Sequence, residues 1–310
     1  MSRSKISTRR LKKINYNGKL LKNFDLSGLT TFKCGGKCSF YLEINTLENF
    51  LSVIFYIAKI KIKYFVLGAG SNVLVSDNGF DGVVIKLGGD FDRIEQLEDN
   101  LIECGAGCNL TKVISQTIEL GLGGLECGVG IPATIGGAVF MNAGAYDFEM
   151  SKVVDYVVAF VDGKIAYFEN FDCDFSYRHS VFQKNNAIIL RVGLRLEKQV
   201  RKLLLQKSKE IMKKRLESQP LNFPSAGCVF KRIDGVVVSK LLDECGLKGL
   251  TFGGAKVSEK HANFIINFNH ATAQDIYELI GVIKKRFKDK TDIELQTEIK
   301  FLGDFDEDTR

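Results

Sequence analysis

Apolar residues recur along this chain in two rhythms. Over residues 47–62, LENFLSVIFYIAKIKI, they return at helical spacing, Phe50, Ile54 and Ile57 among them, which predicts an amphipathic helix. From Tyr64 to Leu87 the rhythm shortens. YFVL, VLVS and VVIKL are β-rich runs separated by GAGSN and DNGFDG, so strands joined by tight turns are expected. A short strand, LIECGA, then precedes the helical NLTKVISQTIELG, with Asn109 placed to cap it and Gly121 to end it. VVDYVVAFVDGKIAYF predicts a hairpin about Asp162-Gly163, and AIILRVGLRLE a further strand.

At residue 199 the texture changes. VRKLLLQKSKEIMKKRLESQP has almost no β-branched residues, and Leu205, Met212 and Leu216 fall on one helical stripe that Pro220 stops. Beyond it the pattern predicts a loop at PSAGCVFKR, a helix over SKLLDECG, a strand HANFIINF, a helix AQDIYELIGVIKKRFKDK and a last strand ELQTEIKFLG. The expected architecture is α+β in two domains, 20–198 (core about 33–198) and 199–303. A basic extension, 1–19, precedes them and an acidic tail, 304–310, follows.

Composition narrows the class. The chain has 310 residues, 45% hydrophobic and 26% charged, enough for more than one core, and no apolar run approaches the ~18 residues that span a bilayer. No apolar segment of signal-peptide type opens it, so a cytoplasmic protein without membrane partners is expected. The net charge of +6 is concentrated: Met1 to Phe24 carries eight Lys/Arg and no acid. That arm lacks interleaved aromatics and any nucleic-acid-binding motif, so a solvated extension is expected and nucleic acid is not. None of the eight cysteines forms C-x-x-C, and His179, His261 and His270 complete no ligand pattern, which points to reduced thiols and no metal. Nothing sets the oligomeric state; a monomer is the expectation.

Two glycine loops are the candidate binding chemistry. GAGSN follows a strand but lacks the third glycine of a dinucleotide fingerprint, having Val73 there, and a strand rather than a helix comes next. No Walker sequence occurs either. Small residues in succession nevertheless leave backbone N–H groups uncovered, a nest for phosphate oxygens. Gly68, Ala69, Gly70, Ser71 and Asn72 form one such run, and Gly130, Ile131, Pro132, Thr134, Gly136 and Gly137 lie in a second, GIPATIGG. Either alone reads equally well as a tight turn; the two together suit a diphosphate. Cys228, in PSAGCVFKR, fits two readings: a small buried hydrophobe, or a thiol made useful by Lys231 and Arg232 beside it.

VLGAGSNVLVSDNGFDGVVI and GLGGLECGVGIPATIGGAVFMNAGAY together resemble the FAD-binding domain of vanillyl-alcohol-oxidase-type (PCMH-type) flavoproteins. With YRHSVF, PSAGCVFKR and LQTEIKFLG, in that order from about Leu20 to Gly303, the chain resembles the UDP-N-acetylenolpyruvoylglucosamine reductases of peptidoglycan synthesis, in their shorter subtype. The resemblance implies FAD, NADPH as hydride donor, and reduction of an enolpyruvyl UDP-sugar to UDP-N-acetylmuramate. Two departures stand out: Ala133 where the family has a second glycine, and Cys228 where it usually has serine.

By that resemblance Arg178 is the catalytic arginine, Glu298 the catalytic glutamate and Cys228 the proton donor. Glu294 lies four residues before Glu298 and would share its face of an extended strand, so periodicity cannot separate them. Arg215, Lys231 and Lys256 are candidate partners for the UDP phosphates and His261 a candidate substrate contact. GAGSN has no His or Cys, so FAD is expected to be held noncovalently. The alternative reading is another FAD-linked oxidase or dehydrogenase of a hydroxy acid or alcohol.

Overall fold

The computed structural model describes residues 18–233 and 236–306; most of the basic extension and the end of the acidic tail lie outside the described residues. The described chain divides into two compact units, 18–21, 40–69 and 82–214 in the first, and 22–39, 70–81, 215–233 and 236–306 in the second. The division therefore falls within the helix Arg201–Ser218 and not at residue 198, and two early segments join the later unit. Strand pairing explains this: Val73–Val75 runs parallel to Lys300–Leu302, in register Val73 to Lys300 and Val75 to Leu302. A contact across such a sequence separation leaves no trace in local texture.

The first unit is built on a five-stranded antiparallel sheet, in the order Lys164–Glu169, Val154–Val161, Ile188–Arg195, Leu101–Gly105, Ile94–Glu98. Its hairpin closes at Val161 opposite Lys164, with Asp162 and Gly163 both at positive φ (50° and 78°), the two-residue turn that Asp-Gly favours. Helices Leu47–Lys59, Leu110–Glu119 and Ile135–Phe140 bury Phe50, Ile54, Val113, Ile135 and Val139 in the same core as Val157, Val192 and Leu194 of the sheet. Asn109 caps its helix as expected, accepting from Lys112 N.

The stripe read on Arg201–Ser218 is displaced by one residue. Leu204 and Ile211 are buried, whereas Leu216 is 54% exposed, and Arg215 on the buried stripe is only 5% exposed. A charged residue on the inner face misleads a hydrophobicity pattern. Lys207, on the same helix, reaches Glu126, which is itself buried; Glu126 Oε1 accepts from Lys207 Nζ and Oε2 from Gly124 N, each at 2.6 Å. Burial pushes this carboxyl up, but the lysine and the amides outweigh it and hold it below the usual range. A depressed carboxylate stabilises above its unfolded pKa and loses that contribution as pH falls through the folded value. Glu126→Gln is expected to cost about 1–2 kcal/mol at neutral pH, discounted for the exposed lysine. In denaturant titrations the gap between the two proteins should close as pH falls through the depressed folded-state value, below the usual carboxylate range; a constant gap would remove the ion pair as its cause.

The second unit carries a four-stranded antiparallel sheet, in the order Ser225–Cys228, Phe264–Asn267, Ala255–Val257, Thr251–Phe252. The helix Ala273–Thr291 opens with a capping box between Thr272 and Asp275 and buries Ile276, Leu279, Ile280, Ile283 and Phe287 with Val229, Phe230, Val257 and Ile265. PSAGCVFKR thus begins as an edge strand, not a loop, and of ELQTEIKFLG only Lys300–Leu302 is strand. No helix among the described residues is long and apolar enough to cross a membrane.

Candidate functional site

The two glycine loops differ in what they offer. In the first, none of the N–H groups of Gly68, Ala69, Gly70, Ser71 and Asn72 has an acceptor among the described residues. The carbonyls are held instead. Gly68 O accepts from Lys86 Nζ (2.9 Å), Gly70 O from Thr31 N (3.0 Å) and Asn72 O from Lys300 N (2.9 Å), which leaves the amides as the loop's open side. Gly70 is at φ 65°, and a Cβ there would come within 2.1 Å of Leu29 O, so only glycine serves. Burial pushes the Lys86 ammonium down, with Asp92 and Glu43 working against that.

The second loop is largely stitched into the protein. Ile131, Ala133, Ile135 and Gly136 donate to Gly128 O, Ile131 O, Cys108 O and Ala106 O, and Gly137 N donates to Thr134 Oγ1. As a nest it is therefore weaker than its glycine content suggests, because those amides are already used. Its contribution is Thr134, which caps Ile135–Phe140 and packs so close to Gly68 that a Cβ there would meet Thr134 Oγ1 at 2.7 Å. The two loops are neighbours, and the first has the donor set that suits a diphosphate.

Arg178 belongs to the first unit. Ser176 and His179 bond each other reciprocally (3.2 and 3.1 Å), closing a turn in which Arg178 takes φ 54°. The left-handed conformation costs a side-chain-bearing residue about 1 kcal/mol. Its guanidinium is directed by Gly144 O, which accepts from Nη2 at 2.7 Å, and stands 5.0 Å over the Tyr177 ring.

Cys228 and Glu298 lie in the second unit, on one hydrogen-bonded ladder. Gly227, at φ 76° with open space around it, creates a bulge between Ser225 and Cys228 opposite Phe264–Asn267 and so re-aims the cysteine. Immediately beyond, Glu298 N donates to Val229 O (2.7 Å), Phe230 bridges Thr297, and Lys231 N donates to Gln296 O (2.8 Å). Asn263, which the sequence did not single out, pairs with the other side of this segment: its Oδ1 accepts from Phe230 N and its Nδ2 donates to Phe230 O, both at 2.9 Å. Asn72 Nδ2 donates to Glu298 O (3.2 Å), so the first glycine loop also fixes the glutamate's backbone.

The two glutamates have different surroundings. Glu294 is 75% exposed in an ion pair with Lys288 at 2.6 Å, which holds its carboxyl below the usual range, whereas Glu298 is half-buried beside Val229.

The expected cations divide. Lys231 is half-buried, and burial together with the Lys231 charge pushes down the ammonium of Lys300, a residue the sequence reading missed. Two cations that raise each other's energy favour a bound anion. Lys256 is already in an ion pair with Glu259 (3.0 Å), and Arg215 donates Nη1 to Gln219 Oε1 (3.3 Å). The His261 ring packs on Phe264, the residue opposite Cys228, with Nδ1 buried and burial pushing its pKa down. Seven of the eight cysteines are buried; Cys228 is the exception. Among the described residues no cluster of three His, Cys, Asp or Glu could hold a metal.

Comparison with known proteins converges on one family. Residues 219–302 match the family model for the C-terminal domain of UDP-N-acetylenolpyruvoylglucosamine reductase, and residues 39–165 match that of the FAD binding domain. The chain is 40% identical over 296 residues to the UDP-N-acetylenolpyruvoylglucosamine reductase of Caldanaerobacter subterraneus subsp. tengcongensis, covering 95% of this chain and 97% of that one. It is 38% identical over 288 residues to the Bacillus subtilis enzyme of the same name, covering 92% and 95%. The crystal structure of the Thermus caldophilus reductase aligns with a TM-score of 0.80 at 33% identity, over 93% of this chain and 99% of that chain.

Proposed function

The chain belongs to the UDP-N-acetylenolpyruvoylglucosamine reductase family, and from that premise we propose that Arg178, Cys228 and Glu298 carry out its chemistry on the enolpyruvyl group. It is an FAD-containing, NADPH-dependent oxidoreductase that converts UDP-N-acetylenolpyruvoylglucosamine to UDP-N-acetylmuramate in peptidoglycan precursor synthesis. Bound FAD would supply the hydride transfer from NADPH to C3 of the enolpyruvyl group. The open amides of residues 68–72 would hold its diphosphate, with Thr134 at their side. We place the activity in the cytoplasm, in a monomer whose flavin is held noncovalently.

Hydride arrival at C3 leaves negative charge at C2, delocalised into the adjoining carboxylate. Arg178 supplies a planar, permanently charged fork for that carboxylate. Glu298 shares a proton with it, and Cys228 delivers a proton to C2, leaving a thiolate that solvent reprotonates. Lys231, with Lys300 beside it, suits the UDP phosphates, and His261 the substrate side; Arg215 and Lys256, already engaged, are weaker candidates.

The observation that carries this reading is the ladder on which Val229 O accepts from Glu298 N, fixing the donor and the glutamate in one register. Glu298→Gln is expected to leave reduction by NADPH intact and to slow reoxidation by the enolpyruvyl substrate on the order of 10²-fold. Glu294→Gln, at a solvent-exposed ion pair, should change neither step more than about twofold. Anaerobic stopped-flow measurement of both steps checks this, and the opposite ranking of the two glutamates would overturn the assignment.

A further inference from the structure

MNAGAY contains a residue whose contacts exceed what a loop needs. Asn142 is 1% exposed, and its side chain is fully engaged. Nδ2 donates to Ser176 O at 3.0 Å and to Glu149 Oε2 at 3.3 Å, and Oδ1 accepts from Ser151 N at 2.9 Å. Its own carbonyl accepts from Arg178 Nη1 at 3.4 Å. One residue thus grips the arginine at both ends: Ser176 opens the turn from which Arg178 projects, and the guanidinium is its tip. Gln183 adds a third tie, its Nε2 donating to Arg178 O (3.0 Å) and Phe140 O (2.9 Å).

Both asparagine and arginine sit at positive φ, 41° and 54°. Strained backbone persists only where the surroundings over-determine it, and such places concentrate where geometry matters to chemistry. An unrestrained arginine would sample many rotamers, and a guanidinium displaced by about 1 Å can forfeit as much as 10²-fold in rate.

We infer that Asn142, seconded by Gln183, is a positioning residue that presets the Arg178 guanidinium for the substrate carboxylate; the inference rests on the reading of Arg178 as the partner of that carboxylate. Asn142→Asp isolates the effect. Aspartate tolerates the left-handed region and keeps the acceptor for Ser151 N, but it loses the donor to Ser176 O and sets a carboxylate against Glu149.

Calorimetric affinity for UDP-N-acetylmuramate, which carries the same carboxylate, should fall about tenfold, and reoxidation by substrate should slow about 10- to 100-fold. Flavin content and the rate of reduction by NADPH should stay within about twofold. Adding Glu149→Gln returns a donor to the new carboxylate and should recover part of the loss. In an Arg178→Ala background Asn142→Asp should cost nothing more, the non-additivity expected of residues acting through one group.

Gln183→Met, of similar length without the donor, should show the same pattern to a smaller degree, and it decides the matter should Asn142→Asp not fold. Unchanged product affinity, equal slowing of both steps, or additive losses with Arg178→Ala would each overturn the inference. If Arg178→Ala itself leaves product affinity and reoxidation unchanged, the reading of Arg178 has failed first. Loss with Arg178→Ala alone overturns only the role of Asn142.

Discussion

Arg178→Ala is expected to abolish most turnover while the protein still folds, still binds FAD and is still bleached by NADPH. Charge grows on the substrate carboxylate only as the enolpyruvyl group is reduced, so a cation aimed at that carboxylate favours the later step and not the earlier one. Removing one preorganised donor from such a site costs about 10²- to 10³-fold, and a full guanidinium lies at the upper end. Arg178→Lys keeps the charge but not the planar fork that Gly144 O and Asn142 O hold in place, so it should recover only a fraction.

A control comes from the backbone. At φ 54° glycine is preferred over alanine by about 1 kcal/mol, so Arg178→Gly should unfold at a higher temperature than Arg178→Ala while being equally slow in reoxidation. Stopped-flow traces of the two half-reactions, with thermal unfolding alongside, check both parts. Equal slowing of reduction and reoxidation would mean that Arg178 holds the flavin or the fold instead.

What could be read from the sequence had local causes. The hairpin at Asp162-Gly163, the Asn109 cap and the start of the helix at Ala273 are each decided by a few neighbouring residues, and the structure has all three. The rejected dinucleotide fingerprint was also local: the strand Val73–Val75 follows GAGSN where a helix was required. What escaped depends on distant partners. Asn263 and Asn142 are unremarkable polar residues until the fold sets Phe230 against one and Ser176 against the other. Segments 22–39 and 70–81 join the second unit through contacts such as that of Val73–Val75 with Lys300–Leu302, which no window along the chain can contain. Glu294 and Glu298 were indistinguishable as two positions on an imagined strand; an irregular approach to Lys300 leaves one at an ion pair in solvent and the other on the ladder beside Cys228.

Cys228→Ala should bind FAD, accept reducing equivalents from NADPH, and then stall on substrate, because the carbanion at C2 loses its acid. Cys228→Ser should keep substantial activity, since a hydroxyl occupies the same re-aimed position beyond Gly227. It is nevertheless a far weaker acid than a thiol, whose ordinary pKa is about 8.5, so reoxidation in the serine variant should be slower than in the wild type.

The remaining cysteines make the thiol itself testable. Desolvation pushes Cys34 and Cys173 up to about 12 and Cys108 up to about 11, and all seven others are buried, so alkylation at neutral pH should select Cys228. The alkylated wild type should lose activity, saturating substrate should protect it, and Cys228→Ser should be indifferent to the reagent. A cysteine that merely packs behaves otherwise: the alanine variant would be modestly less stable, with reoxidation near the wild-type rate. The reoxidation rate of Cys228→Ala therefore decides between proton donor and filler, and a value within about twofold of wild type would sink the catalytic role.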